Sequence, residues 1–152
     1  MSQTKVSRVI DAPIVSVFKV IADCSQYAIA VPHILETEIL SDTKSGVGTR
    51  FRETRDMNGR QATTEIEISE LEENRLIRFM SDSGGTTWDS LYTFSEEQGQ
   101  TSMTLVMEAR PYKLLARLFN PLIKGMVQKA LESDMDAVKQ YCEQDHRAPD
   151  SE

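Results

Sequence analysis

The residue that most clearly suggests chemistry is an aspartate inside an apolar helical stripe. At about 100° per residue, Asp134 falls between Val127, Val138 and Tyr141, so its neighbours on that face are hydrophobic. A carboxylate in such surroundings is costly unless it is paired or hydrogen-bonded. It could act as a polar anchor or a general base at a cavity wall. We favour a third interpretation, in which the helix meets solvent at this point or the carboxylate forms a structural ion pair with an arginine of the segment 47–57. The candidates are Arg50, Arg52 and Arg55.

Two β-rich segments, 85–96 and 100–110, carry side chains suited to a ring-bearing or acyl ligand. Alternation along a strand places these side chains on one face. They include Trp88, Ser90, Tyr92, Met103 and Met107. Methionine adapts its shape to a ligand, and a hydroxyl group can orient a polar end. Taken singly, each of these residues is better explained as part of a core than as part of a binding site.

The segment 110–130 differs in charge from the rest of the chain. It contains five basic residues among leucines and no acidic residue, in a chain whose net charge is −7. A basic amphipathic segment can lie on an anionic membrane surface or cover the mouth of a pocket. It could also be the entry to a helix whose solvated side happens to be basic.

The composition argues against several other kinds of function. The acidic excess repels phosphate backbones, so we expect no nucleic-acid partner. His33 and His146 belong to no metal-binding or Ser-His-Asp pattern, and no glycine-rich motif stands at a strand-to-helix junction, so we expect no metal and no cofactor. Cys24 and Cys142 are far apart in sequence, and no secretory segment or long apolar run is present. We therefore expect a cytoplasmic protein.

The elements that position these residues can be predicted from turn signals and periodicity. An alternating strand ends at Pro13 and is followed by two short helices. Glycine- and asparagine-rich turns then separate β-rich segments, which predicts antiparallel neighbours. The predicted strands are near 33–41, 47–57, 61–71, 74–82, 85–96 and 100–110.

The last third of the chain has helical periodicity. Apolar positions recur at spacings of three and four from Pro121 to about Asp145, which predicts one long amphipathic helix. Asn120 can cap this helix and Pro121 can occupy its first position, so the segment 112–119 should be a separate short helix or loop. We expect one domain over 1–145 and a polar, disordered tail over 146–152.

This α+β order of elements resembles the START-type helix-grip fold, and particular residues resemble the bacterial polyketide cyclase/dehydrase and lipid-transport superfamily, also called SRPBCC. The resemblance covers about residues 4–144. It rests on Ile10, Asp11, Ala12, Pro13, Val17, Asp23, Tyr27, Thr101, Glu108, Pro111 and the helix from Pro121. It implies a seven-stranded curved antiparallel sheet that wraps around the long C-terminal helix, with an apolar cavity between them.

The cavity that the resemblance implies favours ligand binding by the group of inward-facing residues. The predicted ligand-binding residues are Phe79, Trp88, Ser90, Tyr92, Met103, Met107, Phe119, Met126 and Ala130. Our leading hypothesis is non-covalent binding of a lipid, quinone or polyketide-like molecule, for transport or sensing. One alternative is a cyclase or dehydrase in which Asp134 or Tyr92 moves a proton. A second alternative is docking to a partner or membrane through residues 110–130.

Overall fold

The computed structural model describes the backbone of residues 2–57 and 59–147, and the side chains of residues 3–57, 59–118 and 123–145. Within these ranges, one seven-stranded sheet is accompanied by three helices. The elements are β1 (Ser2–Ile10), α1 (Ile14–Ala22), α2 (Cys24–Ala30), β2 (Ile34–Ile39), β3 (Arg50–Met57), β4 (Arg60–Glu72), β5 (Leu76–Ser83), β6 (Thr86–Glu97), β7 (Gln100–Pro111) and α3 (Leu114–Arg147).

All neighbouring strands are antiparallel, in the order β1-β7-β6-β5-β4-β3-β2. Strands β2 to β7 therefore form the predicted meander, and β1 joins it beside β7. The tight connection between β5 and β6 shows why the turn signals were informative. Gly84 and Gly85 have φ of 63° and 81°, values that β-carbon-bearing residues rarely adopt, and they join Ser83 directly to Thr86. The predicted fold class is confirmed.

The start of the C-terminal helix differs from the prediction. Helix α3 is continuous from Leu114 to Arg147, so the segment before Pro121 is neither a loop nor a separate helix. A proline inside a helix removes one backbone hydrogen bond but does not always end the helix. The preceding segment 114–118 consists of the strong helix formers leucine, alanine and arginine, which favours continuation. The helix also includes His146 and Arg147 of the predicted tail, whereas residues 148–152 lie outside the described residues.

The C-terminal half of α3 is fixed against the β1 edge of the sheet. Leu131, Met135, Val138 and Cys142 are buried in the core, where they recur at helical spacing. Near the end of β1, the Lys139 ammonium donates to the Val9 carbonyl at 2.6 Å. These contacts hold the helix over β1 and β7, and they leave space between it and the middle strands. Among the described residues, no helix combines the length and the hydropathy that crossing a membrane would require.

Candidate ligand-binding cavity

A cavity of about 340 Å³ lies between the middle of the sheet and α3. Each contributing strand from β3 to β6 turns every second residue into it, as expected for the inner face of a pleated sheet. These residues are Phe51, Glu53, Arg55 and Met57 on β3, Ala62, Thr64 and Ile66 on β4, Phe79, Ser81 and Ser83 on β5, and Trp88, Ser90 and Tyr92 on β6. The helix closes the cavity with Val127, Ala130, Leu131 and Asp134, which share one helical face.

The sheet side of the cavity has a series of aromatic rings. The rings of Phe51 and Phe79 pack edge to face with their centroids 6.2 Å apart, and those of Phe79 and Tyr92 pack in the same way with centroids 5.8 Å apart. Such edge-to-face contacts stabilise the packing beyond the area that they bury. This part of the wall is therefore aromatic and closely packed. Exposed lining residues at Met57, Ser83 and Ala130 locate the opening of the cavity between two hairpins and the helix.

The structure brings together six of the nine residues predicted to bind ligand. The six that line the cavity are Phe79, Trp88, Ser90, Tyr92, Met107 and Ala130. Two others lie elsewhere: Met103 has no exposed surface, and Met126 is 62% exposed. The side chain of Phe119 lies outside the described residues.

The position of Met103 along its strand explains why it does not line the cavity. Met103 pairs with Phe94, and both belong to the packed core. On the same face, the next pair is Tyr92 with Leu105, of which Tyr92 lines the cavity, and both members of the following pair, Ser90 with Met107, line it. Alternation predicts correctly that Met103 faces inward, but it does not predict where along the strand the packed core gives way to open space. Met126 was placed wrongly because its neighbour Val127, rather than Met126 itself, is on the helix face that meets the cavity.

A buried ion pair forms the polar part of the cavity wall. The Arg55 Nη1 atom donates to both carboxylate oxygens of Asp134, at 2.8 and 3.1 Å, and Asp134 is only 6% exposed. Arg55 Nε also donates to Glu53 at 3.3 Å. The favoured interpretation of Asp134 as the partner of a β3 arginine is therefore confirmed, and the pair also faces the cavity.

Two tyrosines extend this network. The Tyr27 hydroxyl, from α2, donates to Asp134 at 3.4 Å, and Tyr92 lies close enough to raise the pKa of Tyr27. Burial, followed by Tyr92 and Asp134, raises the pKa of Tyr27 well above its ordinary value, although Arg55 opposes this shift. Burial likewise raises the pKa of Tyr92. Both phenols are therefore protonated at neutral pH. We call Tyr27, Glu53, Arg55, Tyr92 and Asp134 the polar cluster.

The charges of the polar cluster influence one another. Burial raises the pKa of Glu53, and Asp134 raises it further, although Arg55 opposes this shift. Burial tends to lower the pKa of Arg55, but Asp134 and Glu53 together raise it above its usual value. The guanidinium therefore stays charged and holds two carboxylates.

Sequence reasoning overlooked part of this cluster, although a signal was present. Along β3, Phe51, Glu53, Arg55 and Met57 alternate onto one face, so charged residues share a face with apolar ones. Charged side chains on the inner face of a strand are rare unless they are paired. Arg55 was considered only as a partner of Asp134, and Glu53 was not considered.

The fold and cavity define a helix-grip protein, in which a curved antiparallel sheet surrounds a long C-terminal helix. The chain belongs to the family described as polyketide cyclase / dehydrase and lipid transport, whose sequence profile matches residues 1–143. No curated protein matches the chain.

Solved structures share the fold at low sequence identity. An aromatase/cyclase named Zhui, from a Streptomyces species, is 18% identical with a TM-score of 0.81, covering 97% of this chain and 96% of that chain. A START superfamily protein from Mycobacterium smegmatis is 15% identical with a TM-score of 0.77, covering 93% and 97% of the two chains. A protein from Thermus thermophilus is 19% identical with a TM-score of 0.75, covering 91% and 95%. These likenesses establish the architecture alone.

Proposed function

We propose that this protein binds a hydrophobic or amphipathic small molecule non-covalently in the cavity, for transport or sensing in the cytoplasm. The observation that supports this proposal is an open volume of about 340 Å³ with aromatic and aliphatic walls and one internal polar cluster. Sites for small molecules generally combine mostly apolar walls with a few fixed polar groups. Cys24 and Cys142 are free cysteines, in keeping with a reducing compartment.

The cyclase or dehydrase alternative would require Asp134 or Tyr92 to move a proton. Both oxygens of Asp134 already accept hydrogen bonds from Arg55, so the carboxylate would have to give up part of this pairing to take a proton from a ligand. Burial raises the pKa of Tyr92, so this phenol releases its proton less readily. Both candidates are thus better suited to orienting a ligand than to transferring protons, and we place binding ahead of catalysis.

Trp88 provides the test of binding, because it is the only tryptophan in the chain and it lines the cavity. We expect its fluorescence to change on titration with ring-bearing or long-chain apolar compounds. Replacing Trp88 by alanine should weaken the binding of a hydrophobic dye by about tenfold, or roughly 1.4 kcal/mol, because an aromatic wall is lost. Tyr112→Ala is the control, since this aromatic residue is 51% exposed and does not line the cavity. If no compound binds or alters the emission of Trp88, the proposal is wrong.

The first turns of α3 support a second candidate function, docking to an anionic membrane surface. Leu114, Leu115, Leu118 and Met126 are 62–73% exposed, and they fall within about 120° of helical arc. The basic residues Lys113, Arg117, Lys124 and Lys129 are interspersed with them. An apolar helix face with surrounding cations is complementary to anionic lipids, whereas the net charge of the whole chain is −7.

Vesicle sedimentation tests this second candidate. We expect the protein to bind vesicles that contain anionic lipid more strongly than zwitterionic ones, and Leu118→Glu to weaken this binding about tenfold. Val15→Glu is a matched control, because Val15 on α1 is 62% exposed against 64% for Leu118. Equal binding to both kinds of vesicle, or equal effects of the two substitutions, would contradict docking through α3.

A further inference from the structure

The polar cluster has no excess positive charge to offer a ligand. Its one cation, Arg55, already contacts Asp134 at 2.8 and 3.1 Å and Glu53 at 3.3 Å. With both carboxylates ionised, these three side chains carry one positive and two negative charges. The positive charge of the guanidinium is thus already more than balanced by its present partners, and an incoming anion would add a third negative charge beside it.

The rest of the described cavity wall supplies no substitute cation. Among the residues found to line the cavity, Arg55 is the only lysine or arginine. The remaining polar groups of the sheet wall include the uncharged hydroxyls of Thr64, Ser81, Ser83 and Ser90. A hydroxyl group can donate one hydrogen bond and accept two, so these groups can satisfy a neutral polar group of either kind.

We propose that the cavity selects ligands whose polar end is uncharged, such as a hydroxyl, phenol, ketone or quinone carbonyl, and discriminates against carboxylate and phosphate ends. This inference rests on the proposed binding function and specifies the chemistry of the ligand. A buried anion must give up its hydration, and here it would do so beside a cluster whose charged side chains are net negative. A neutral end avoids that repulsion and can bond to the hydroxyl groups.

Glu53 is the group on which this discrimination depends most directly. Its contact with Arg55, at 3.3 Å, is longer than the 2.8 Å contact between Asp134 and Arg55. Because the charges of Arg55 and Asp134 balance each other, Glu53 carries the negative charge that is left uncompensated. The charged groups that act on it are Arg55 on its own strand and Asp134 on α3. Glu53 in turn helps to raise the pKa of Cys24 on α2 and of Tyr92 on β6. Tyr27 on α2 belongs to the same cluster through Arg55 and Asp134.

The experiment compares an alkyl alcohol with the carboxylate of equal chain length, each displacing a bound hydrophobic dye, at about pH 8, where the acid is ionised. We expect the alcohol to bind at least about tenfold more tightly in the wild type. The alcohol is also intrinsically more apolar than the carboxylate, so the wild-type affinities alone do not isolate the effect of the polar cluster. The test is therefore how much the alcohol-to-carboxylate affinity ratio changes on mutation. Glu53→Gln should reduce the ratio about fivefold or more by neutralising the cluster.

Glu65→Gln provides the control, because it removes the same charge from an exposed position that is not part of the cavity wall. It should leave the alcohol-to-carboxylate ratio unchanged. An alkyl sulfonate, which stays anionic, offers a second measurement on the wild type and does not depend on the folding of a variant. Its affinity should rise as the pH is lowered through the pKa of Glu53, which burial raises above its ordinary value, because protonation removes one negative charge from the cluster.

The outcomes separate this inference from the function on which it rests. Equal or tighter binding of the carboxylate, or a ratio that Glu53→Gln and Glu65→Gln change equally, would overturn the selectivity while leaving the binding function intact. A sulfonate affinity that does not change with pH would also overturn it. Failure of alcohol, carboxylate and dye alike to bind would overturn both.

Discussion

Replacing Arg55 by methionine should lower the free energy of unfolding by about 3–5 kcal/mol at neutral pH, because it leaves two buried carboxylates without their cation. Asp134 and Glu53 both accept hydrogen bonds from this guanidinium, and their side chains are only 8% and 13% exposed. Water therefore cannot compensate fully for the lost partner. Denaturation by urea, followed by circular dichroism, measures the change.

The loss should depend on pH in a defined direction. Burial already raises the pKa of Glu53, and removal of Arg55 takes away an opposing influence, so this pKa rises further in the folded variant. A carboxyl group whose folded pKa exceeds its unfolded value contributes stability below the unfolded value, near 4.5, and loses it as the pH rises through the folded value. The deficit of Arg55→Met should thus be largest near neutral pH and smaller near pH 4.5.

Arg52→Met is the control for this change. Arg52 lies on the same strand and contacts Glu38 at 2.9 Å, but its side chain is 41% exposed. Exposed pairs contribute little, so its loss should cost no more than about 1 kcal/mol. Equal losses for the two variants, or a deficit of Arg55→Met that does not vary with pH, would contradict the assignment of a buried cluster.

Replacing Ser90 by phenylalanine should weaken ligand binding by at least about 100-fold, or roughly 2.7 kcal/mol, because the new ring occupies the space that the ligand needs. Ser90 lies between Phe79 and Met107 in the sheet, and all three side chains line the cavity. The ring would project into open volume rather than into the packed core. We therefore expect the free energy of unfolding to change by less than about 1.5 kcal/mol.

Thr93→Phe separates the effect of cavity filling from the general effect of adding an aromatic ring to β6. Thr93 is exposed on the opposite face of the same strand and does not line the cavity. Its replacement should leave the affinity for a hydrophobic dye within about twofold of the wild type. If Ser90→Phe binds the dye as tightly as Thr93→Phe does, the ligand does not occupy this cavity.

Much of the fold could be predicted because its signals are local. Glycine pairs such as Gly84 and Gly85 define short hairpins, and hairpins force antiparallel neighbours. The start of α3 could not be predicted in the same way, because a proline has different consequences depending on the residues around it. At Pro121 the helical preference of the preceding leucines, alanine and arginine outweighs the usual tendency to begin a helix there.

Sequence patterns predicted which face of the sheet lines the candidate site, but not how far along each strand the cavity extends. Two-residue alternation placed Trp88, Ser90 and Tyr92 on the inner face, where they line the cavity. The same rule placed Met103 on that face, yet Met103 is packed in a core to which both α1 and α3 contribute. The limit between core and cavity depends on how closely the helices approach each strand pair, which is a property of the tertiary structure.

Native mass spectrometry of the protein, purified without detergent from cells that express it, tests the central claim most directly. We expect the wild type to carry a retained small molecule, or to acquire one on incubation with an extract of apolar metabolites. Ser90→Phe should show the mass of the protein alone under the same conditions, and Thr93→Phe should behave as the wild type does. A wild-type protein that shows only its own mass both before and after incubation, or a ligand that Ser90→Phe retains equally well, would contradict binding in the cavity.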